Sequence, residues 1–143
     1  MHHATTTAVY TFFKDRLRAR ENEANTYEIF YENIPLTPKP NSPFISLELN
    51  HVSTQDTSLF GACKETRFTL LVTLVAPKDQ GVKAFSLVRD CIFEDILGQQ
   101  LTLSDENQNT IGTLRFLTIL GRPNSNNPHN YIKYSDIVIS VYH

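Results

Sequence analysis

The feature that most constrains the fold is a cluster of prolines between two apolar segments. Residues 31–49, YENIPLTPKPNSPFISLEL, hold four of the seven prolines of the chain: Pro35, Pro38, Pro40 and Pro43. Proline fixes φ and lacks the backbone N–H donor, so such a segment is a poor sheet strand. It is therefore either a stiff, extended connector between two strands or a linker between two domains.

Chain length decides between these two interpretations. Residues 1–34 are too short to hold a hydrophobic core alone, whereas 143 residues suit a single domain. We therefore predict one domain over residues 1–143, with the proline segment inside it. The segment is expected to lie extended on a surface, either of its own subunit or of a neighbour.

Two segments have the apolar periodicity of helices, residues 5–20 and 78–98. The first stripe is Val9, Phe12, Phe13 and Leu17, and the second is Val82, Phe85, Val88, Ile92 and Ile96. The expected N-caps are one of Thr5, Thr6 and Thr7 for the first helix and Asp79 for the second, with Gly98 just past the second C-terminus.

The remaining apolar segments have strand character. Strands are predicted over 26–34, 44–51, 66–77, 101–116 (as strand, turn, strand) and 131–143, and the strand over 66–77 is expected to be central. Residues 52–65 are expected to form a long loop or hairpin tip, and 120–130 a polar loop. This order predicts an α+β fold: a mainly antiparallel sheet packed by two helices, with a long loop or β-hairpin extension.

Composition argues against several functional classes. The net charge of −2 and the pI of about 6.2 are unlike those of a globally basic nucleic-acid binder. A local basic face at Lys14, Arg16, Arg18 and Arg20 leaves a nucleic-acid module open as an alternative to a solvated helix face. No apolar run approaches the roughly 20 residues of a membrane span, and we expect neither a secretory signal nor a membrane partner.

The sequence contains little that resembles an active site. We find no nucleophile elbow, phosphate loop, dinucleotide fingerprint or zinc-protease motif. Cys63 and Cys91 form no CxxC pair and are expected to be reduced thiols. We therefore predict that the protein is not an enzyme and has no catalytic, cofactor-binding or metal-binding residues. A nucleophile made of Cys91 and a histidine remains an alternative.

A predicted helix is followed by IFYENIPLTPKPNSPFISLEL and then by GACKETRFTLLVTLVAPKDQGVKAFSLVRDCIFEDIL. In this layout the sequence resembles the lambda-type tail terminator proteins of long-tailed bacteriophages. The likeness covers about residues 5–98 well and the C-terminal strands more loosely. The motifs are structural, and neck and head-completion proteins share a similar α+β core.

The resemblance implies a virion protein of the phage tail or neck, assembled in the host cytoplasm. Members of the family form hexameric rings that cap the tail tube, stop its polymerisation and join the filled head, with no cofactor. The implied partners are further copies of the chain, tail tube protein and a head-completion or connector protein. DNA only passes through the lumen.

The expected contact residues come from two loops and the proline segment. We predict axial contacts from 53–62, with Leu59 and Phe60 as apolar anchors, and from 121–130. A buried hairpin end within the monomer is the alternative for Leu59 and Phe60. The candidate interaction residues are Leu59, Phe60, Pro38, Pro40, Arg122, Asn124 and His129.

Overall fold

The computed structural model describes residues 2–18, 28–31, 43–56, 63–122, 125–126 and 130–143. These ranges form two helices and seven strands, which confirms the predicted α+β class. The elements are α1 His2–Arg18, β1 Glu28–Tyr31, β2 Phe44–Asp56, β3 Lys64–Pro77, α2 Gly81–Val88 with a π-helical continuation Arg89–Phe93, β4 Gln100–Ser104, β5 Thr110–Gly121, β6 Ser125–Asn126 and β7 Asn130–Tyr142.

The strands form one sheet in the order β1-β2-β3-β7-β5-β4, and β6 pairs with β7. Every pairing is antiparallel except that of β1 with β2, where Glu28 lies opposite Phe44 and Tyr31 opposite Leu47. Parallel neighbours cannot be joined by a tight turn and need a crossover. The proline-rich segment therefore connects two neighbouring strands that run in the same direction.

The hydrophobic core covers one face of the sheet, built from alternate residues of its central strands. The members from β3 and β7 are Phe68, Leu70, Val72, Leu74, Ile137, Ile139 and Val141, and all are buried. Both helices lie on this face. Phe12 of α1 packs on Phe116 of β5 at 5.3 Å between ring centroids, and Gly81 of α2 lies against the Tyr131 ring of β7.

Helix α1 begins earlier than predicted, at His2, so no threonine caps it. Thr5 lies inside the helix and is fully buried. The added turn is anchored by His2, whose ring meets Phe68 edge-on at 5.9 Å. The predicted stripe of Val9, Phe12, Phe13 and Leu17 is confirmed as the buried face.

Helix α2 differs more from its prediction. A turn in which Gln80 N–H donates to the Pro77 carbonyl (2.9 Å) precedes it, and Gln80, not Asp79, is the N-cap. The helix changes to π geometry at Arg89 and ends at Phe93. Gly98 has a φ of +84°, as its predicted role requires, but it follows a further turn.

The predicted apolar stripe of α2 is partly wrong, because Val82 is 72% exposed. Gly81 and Ala84 face the sheet instead. Only small residues permit the close approach to Tyr131, and this orientation turns Val82 towards solvent.

Strands β2 and β3 extend further than their apolar patterns indicated. After a register shift at Val52, residues 53–56 pair with residues 64–67, and this antiparallel ladder reaches Asp56 opposite Lys64. The hairpin interpretation of residues 52–65 is thereby confirmed over its described part. No helix in the described ranges is long and apolar enough to cross a membrane.

Candidate protein-interaction site

The two segments predicted to make axial contacts reach opposite ends of the sheet. The β2–β3 hairpin leaves the sheet where Asp56 pairs with Lys64. The 121–130 segment begins at Gly121, which pairs with Ser135 near the middle of β7, and ends at Asn130, which pairs with Pro77 at the other end of β3. These ends are separated by the length of β3, roughly 40 Å at about 3.3 Å per residue. The sheet is thus a rigid spacer between two surfaces.

The hairpin projects beyond the hydrophobic core. Residues 51–56 are exposed on both faces of the strand, and the register shifts by one residue at Val52. Backbone pairing with β3 therefore holds this part of the strand in place, since it buries little apolar surface. Such an arm offers backbone and side chains to another protein.

A chain of polar side chains joins the hairpin to the end of β7. His51 Nε2 lies 2.9 Å from Thr54 Oγ1, which lies 3.2 Å from Thr66 Oγ1. Thr66 Oγ1 in turn lies 2.8 Å from His143 Nε2. The backbones of Lys64 and His143 exchange two hydrogen bonds, at 2.8 and 2.9 Å. The base of the hairpin is therefore bound to the last strand.

Glu65 supports the base of the hairpin from the opposite face of β3. Its carboxylate accepts hydrogen bonds from Ser140 Oγ (2.7 Å), Arg67 Nε (2.9 Å) and Gln55 Nε2 (3.2 Å). These bonds, with that of Ser140 the largest, lower the pKa of Glu65 below its ordinary value. The Glu65 carboxylate thus links side chains of the three strands β2, β3 and β7.

Arg122 secures the end of β5, which lies beside the middle of β7, where Leu120 pairs with Asp136. Its Nε and NH2 atoms donate to the two carboxylate oxygens of Asp136 at 2.6 and 2.8 Å, which raises the pKa of Arg122. Its backbone N–H donates to the Tyr134 carbonyl (3.2 Å), and Lys133 Nζ donates to the Arg122 carbonyl (3.1 Å). The guanidinium remains half-exposed, so it fixes the start of the 121–130 segment and can still reach a partner.

The other candidate interaction residues lie outside the described part of the chain. They are Leu59, Phe60, Pro38, Pro40, Asn124 and His129. The structure places the beginning and end of each of their segments. Their roles therefore stay predictions.

The basic face of α1 is occupied by contacts within the chain. Lys14 Nζ lies 5.7 Å from the centre of the Tyr10 ring. The Arg16 guanidinium lies 5.0 Å from that of Phe12 and donates to Asp95 at 2.6 Å. Arg18 is the last residue of the helix, and Arg20 lies outside the described residues. These contacts favour a solvated, paired helix face over a phosphate-binding one.

Titratable groups with metal-ligand geometry are absent from the ranges listed above: no three His, Cys, Asp or Glu side chains there are placed to hold an ion. Cys63 is exposed and Cys91 is buried, and neither forms a disulfide. The polar groups that matter at the hairpin base, Glu65 and Ser140, were missed by sequence reasoning. They are 75 positions apart, and no local pattern pairs them.

The fold has counterparts of known structure, although no protein-family model and no curated protein matches the sequence. Twenty-three chains of solved structures match it. One of them aligns over 99% of this chain and 95% of its own, with a TM-score of 0.70 and 14% sequence identity. Its name states no function, and at this identity the likeness shows the fold alone.

Proposed function

We propose that the chain is a structural virion protein of a tailed bacteriophage, a tail terminator. It assembles into a hexameric ring that caps the tail tube, ends tube polymerisation and provides the surface for joining the head. It carries no catalytic group or cofactor, and DNA passes through the lumen of the ring.

The observation that supports this proposal is that the two segments predicted to make axial contacts reach opposite ends of one sheet. A terminator must satisfy the open end of the tube on one side and present a different surface on the other. The hairpin is described as far as Asp56 opposite Lys64, and the 121–130 segment ends at Asn130 opposite Pro77, at the other end of β3. Hydrogen-bonded side chains hold the base of the hairpin at Glu65 and the start of the 121–130 segment at Arg122.

The physical mechanism follows from interface symmetry. A ring needs a heterologous contact, in which one patch docks on a different patch of the next subunit. The tube end presents a surface that the next tube subunit would normally cover. Once the ring covers it, the arriving subunit meets a surface without complementarity, and growth stops.

The proposal is tested by the native mass of the protein, measured by light scattering with and without isolated tail tubes. A species near six times 16.3 kDa, or a monomer that becomes one on tube ends, is the expected result. Binding to portal or adaptor rings but not to tubes would replace the terminator with a head-side connector. A monomer that ignores both would refute the proposal.

A further inference from the structure

An open groove lies between α1 and the β4–β5 hairpin, with a volume of about 950 Å³. Its floor is apolar and consists of Ala4, Ala8 and Phe12 on the helix side and Leu101 and Ile111 on the sheet side. The alanines stand one helical turn apart, and their small side chains leave the groove open next to the Phe12 ring.

The groove runs along an edge of the sheet, as far as the described strands show. Strand β4 is the last in the strand order, with β5 as its described neighbour. Leu101 and Thr102 both line the groove, although successive residues of a strand point to opposite faces. A groove that follows the edge between the two faces can contact both of these neighbouring residues.

The backbone of Thr102 faces this edge. Phe116 N–H donates to the Gln99 carbonyl at 3.5 Å, and Leu101 is paired with Leu114 in the same register. Because antiparallel ladders alternate, residues 99, 101 and 103 turn their backbone groups towards β5. Thr102 then turns its N–H and C=O away from β5, as an incoming strand requires.

The rim of the groove is acidic. Asp15, Asp105 and Glu106 line it, with Arg16 as the cation. Arg16 is already paired with Asp95, and Asp105 accepts hydrogen bonds from the Asn107 and Asn109 backbone N–H groups at 2.9 Å. Asp15 and Glu106 are therefore the rim carboxylates that remain for an occupant. An occupant with Lys or Arg side chains would complement this charge.

The dimensions suit an extended peptide. The helix wall from His3 to Arg16 is about 20 Å long at 1.5 Å per residue. The strand wall, β4, measures about 13 Å from Gln100 to Ser104 at 3.3 Å per residue. An extended segment of about six residues spans the helix wall of about 20 Å, and about four of these residues span β4.

We propose that this groove binds an extended, basic peptide segment of a partner protein, which adds to β4 as a further strand. Its backbone pairs with Thr102, and its Lys or Arg side chains meet Glu106 at the rim. Its alternate apolar side chains enter the space beside Ala8 and Phe12. This proposal stands whether or not the protein is a tail terminator.

The test uses the full chain and a synthetic peptide of about six alternating lysine and valine residues, capped at both ends. Amide NMR on titration is expected to show shifts along β4 and slower hydrogen exchange at Thr102. Glu106→Lys is expected to weaken binding at least about tenfold, because the rim then repels the peptide. Glu48→Lys makes the same charge change on the exposed face of β2 and is expected to leave affinity unchanged.

Two further variants test the groove and the edge separately. Ala8→Leu fills the space beside Phe12, and Thr102→Pro removes the outward N–H while proline remains acceptable on an edge strand. Each is expected to abolish binding. If either variant fails to fold, the affinity of Glu106→Lys for the peptide still tests the proposal, because Glu106 is exposed.

Three outcomes would overturn the proposal. The first is unchanged exchange at Thr102 under a saturating concentration of the peptide. The second is equal affinity for a matched glutamate-valine peptide. The third is a protein that self-associates without peptide and becomes monomeric on Thr102→Pro, because a second copy would then occupy the groove.

Discussion

The hydroxyl of Ser140 donates a 2.7 Å hydrogen bond to Glu65 and joins two strands whose residues are 75 positions apart. Both side chains are buried. Arg67 and Gln55 complete the shell of donors around the carboxylate. A buried carboxylate is stable in its charged form only with such partners, so the base of the hairpin depends on the ionisation of Glu65.

Stability is therefore expected to fall in acid through Glu65. Its pKa in the folded protein lies below the ordinary value of 4.5, so the unfolded chain takes up a proton first as the pH falls. The stabilising contribution is complete above the ordinary pKa and is lost as the pH drops through the folded-state pKa. We expect Glu65→Gln to lower the urea midpoint at neutral pH, with the gap from the native protein closing below about pH 4.5.

Glu48→Gln is the control for this pH effect. Glu48 is an exposed glutamate on the neighbouring strand, and its substitution is expected to change stability by less than about 0.5 kcal/mol. The difference between the urea midpoints of Glu65→Gln and the native protein should shrink as the pH falls. A difference that stayed constant from neutral to acid pH would show that Glu65 ionisation does not contribute to stability.

Phe116→Ala is expected to destabilise the protein by about 3–5 kcal/mol, as measured by denaturant unfolding. Phe116 is buried and packs against the Phe12 ring at 5.3 Å, so truncation leaves a cavity between α1 and the sheet. Thr118→Ala, at an exposed position of the same strand, should stay within about 0.5 kcal/mol. Equal effects of the two variants would refute the packing of α1 on β5.

Gly81→Ala is expected to cost about 1–3 kcal/mol of unfolding free energy, because the added Cβ would overlap the Tyr131 ring. Helix propensity alone would favour alanine by about 1 kcal/mol, so the sign of the effect is diagnostic. In a Tyr131→Ala background the same change should lose most of its cost. A stabilising Gly81→Ala in the native background would show that the ring moves aside freely.

The contact between Gly81 and Tyr131 also explains where sequence reasoning about α2 failed. Periodicity identifies which residues are apolar but gives no information about how closely a helix approaches its sheet. Gly81 and Ala84 have little apolar surface, yet they form the close contact face, and Val82 is turned to solvent. The π-helical continuation at Arg89 adds a further rotation that a 3.6-residue pattern does not contain.

For the strands, the sequence pattern predicted the buried segments but not the exposed ones or their partners. Alternation located the central strand and the buried Ile137, Ile139 and Val141 because burial imposes a period of two. The arm at 51–56 pairs through backbone hydrogen bonds while exposed, so polar residues there resembled a loop. The partners of Glu65 and Arg122 lie on distant or adjoining strands, and strand order is not encoded in a local pattern.

The hairpin end is expected to carry the contact with the tail tube. Replacing Leu59 and Phe60 by Ser or Asp should abolish capping and leave the fold intact, if these side chains anchor the tube. Val52→Asp tests a hairpin position whose exposure the structure gives. Val52 is 60% exposed, so the change should alter stability by less than about 0.5 kcal/mol. A charge at this apolar position should nevertheless weaken capping, scored as tail length by electron microscopy.

Val82→Asp is the matched control for the hairpin variants. Val82 is also exposed, but it follows the opposite end of β3 in α2. We expect it to leave tail length unchanged, since the proposal directs that end away from the tube. Overlong tails with Val82→Asp and normal tails with Val52→Asp would reverse the orientation of the ring. Normal tails with all of these variants, with folding verified by circular dichroism, would remove the apolar surface of the hairpin from the capping mechanism.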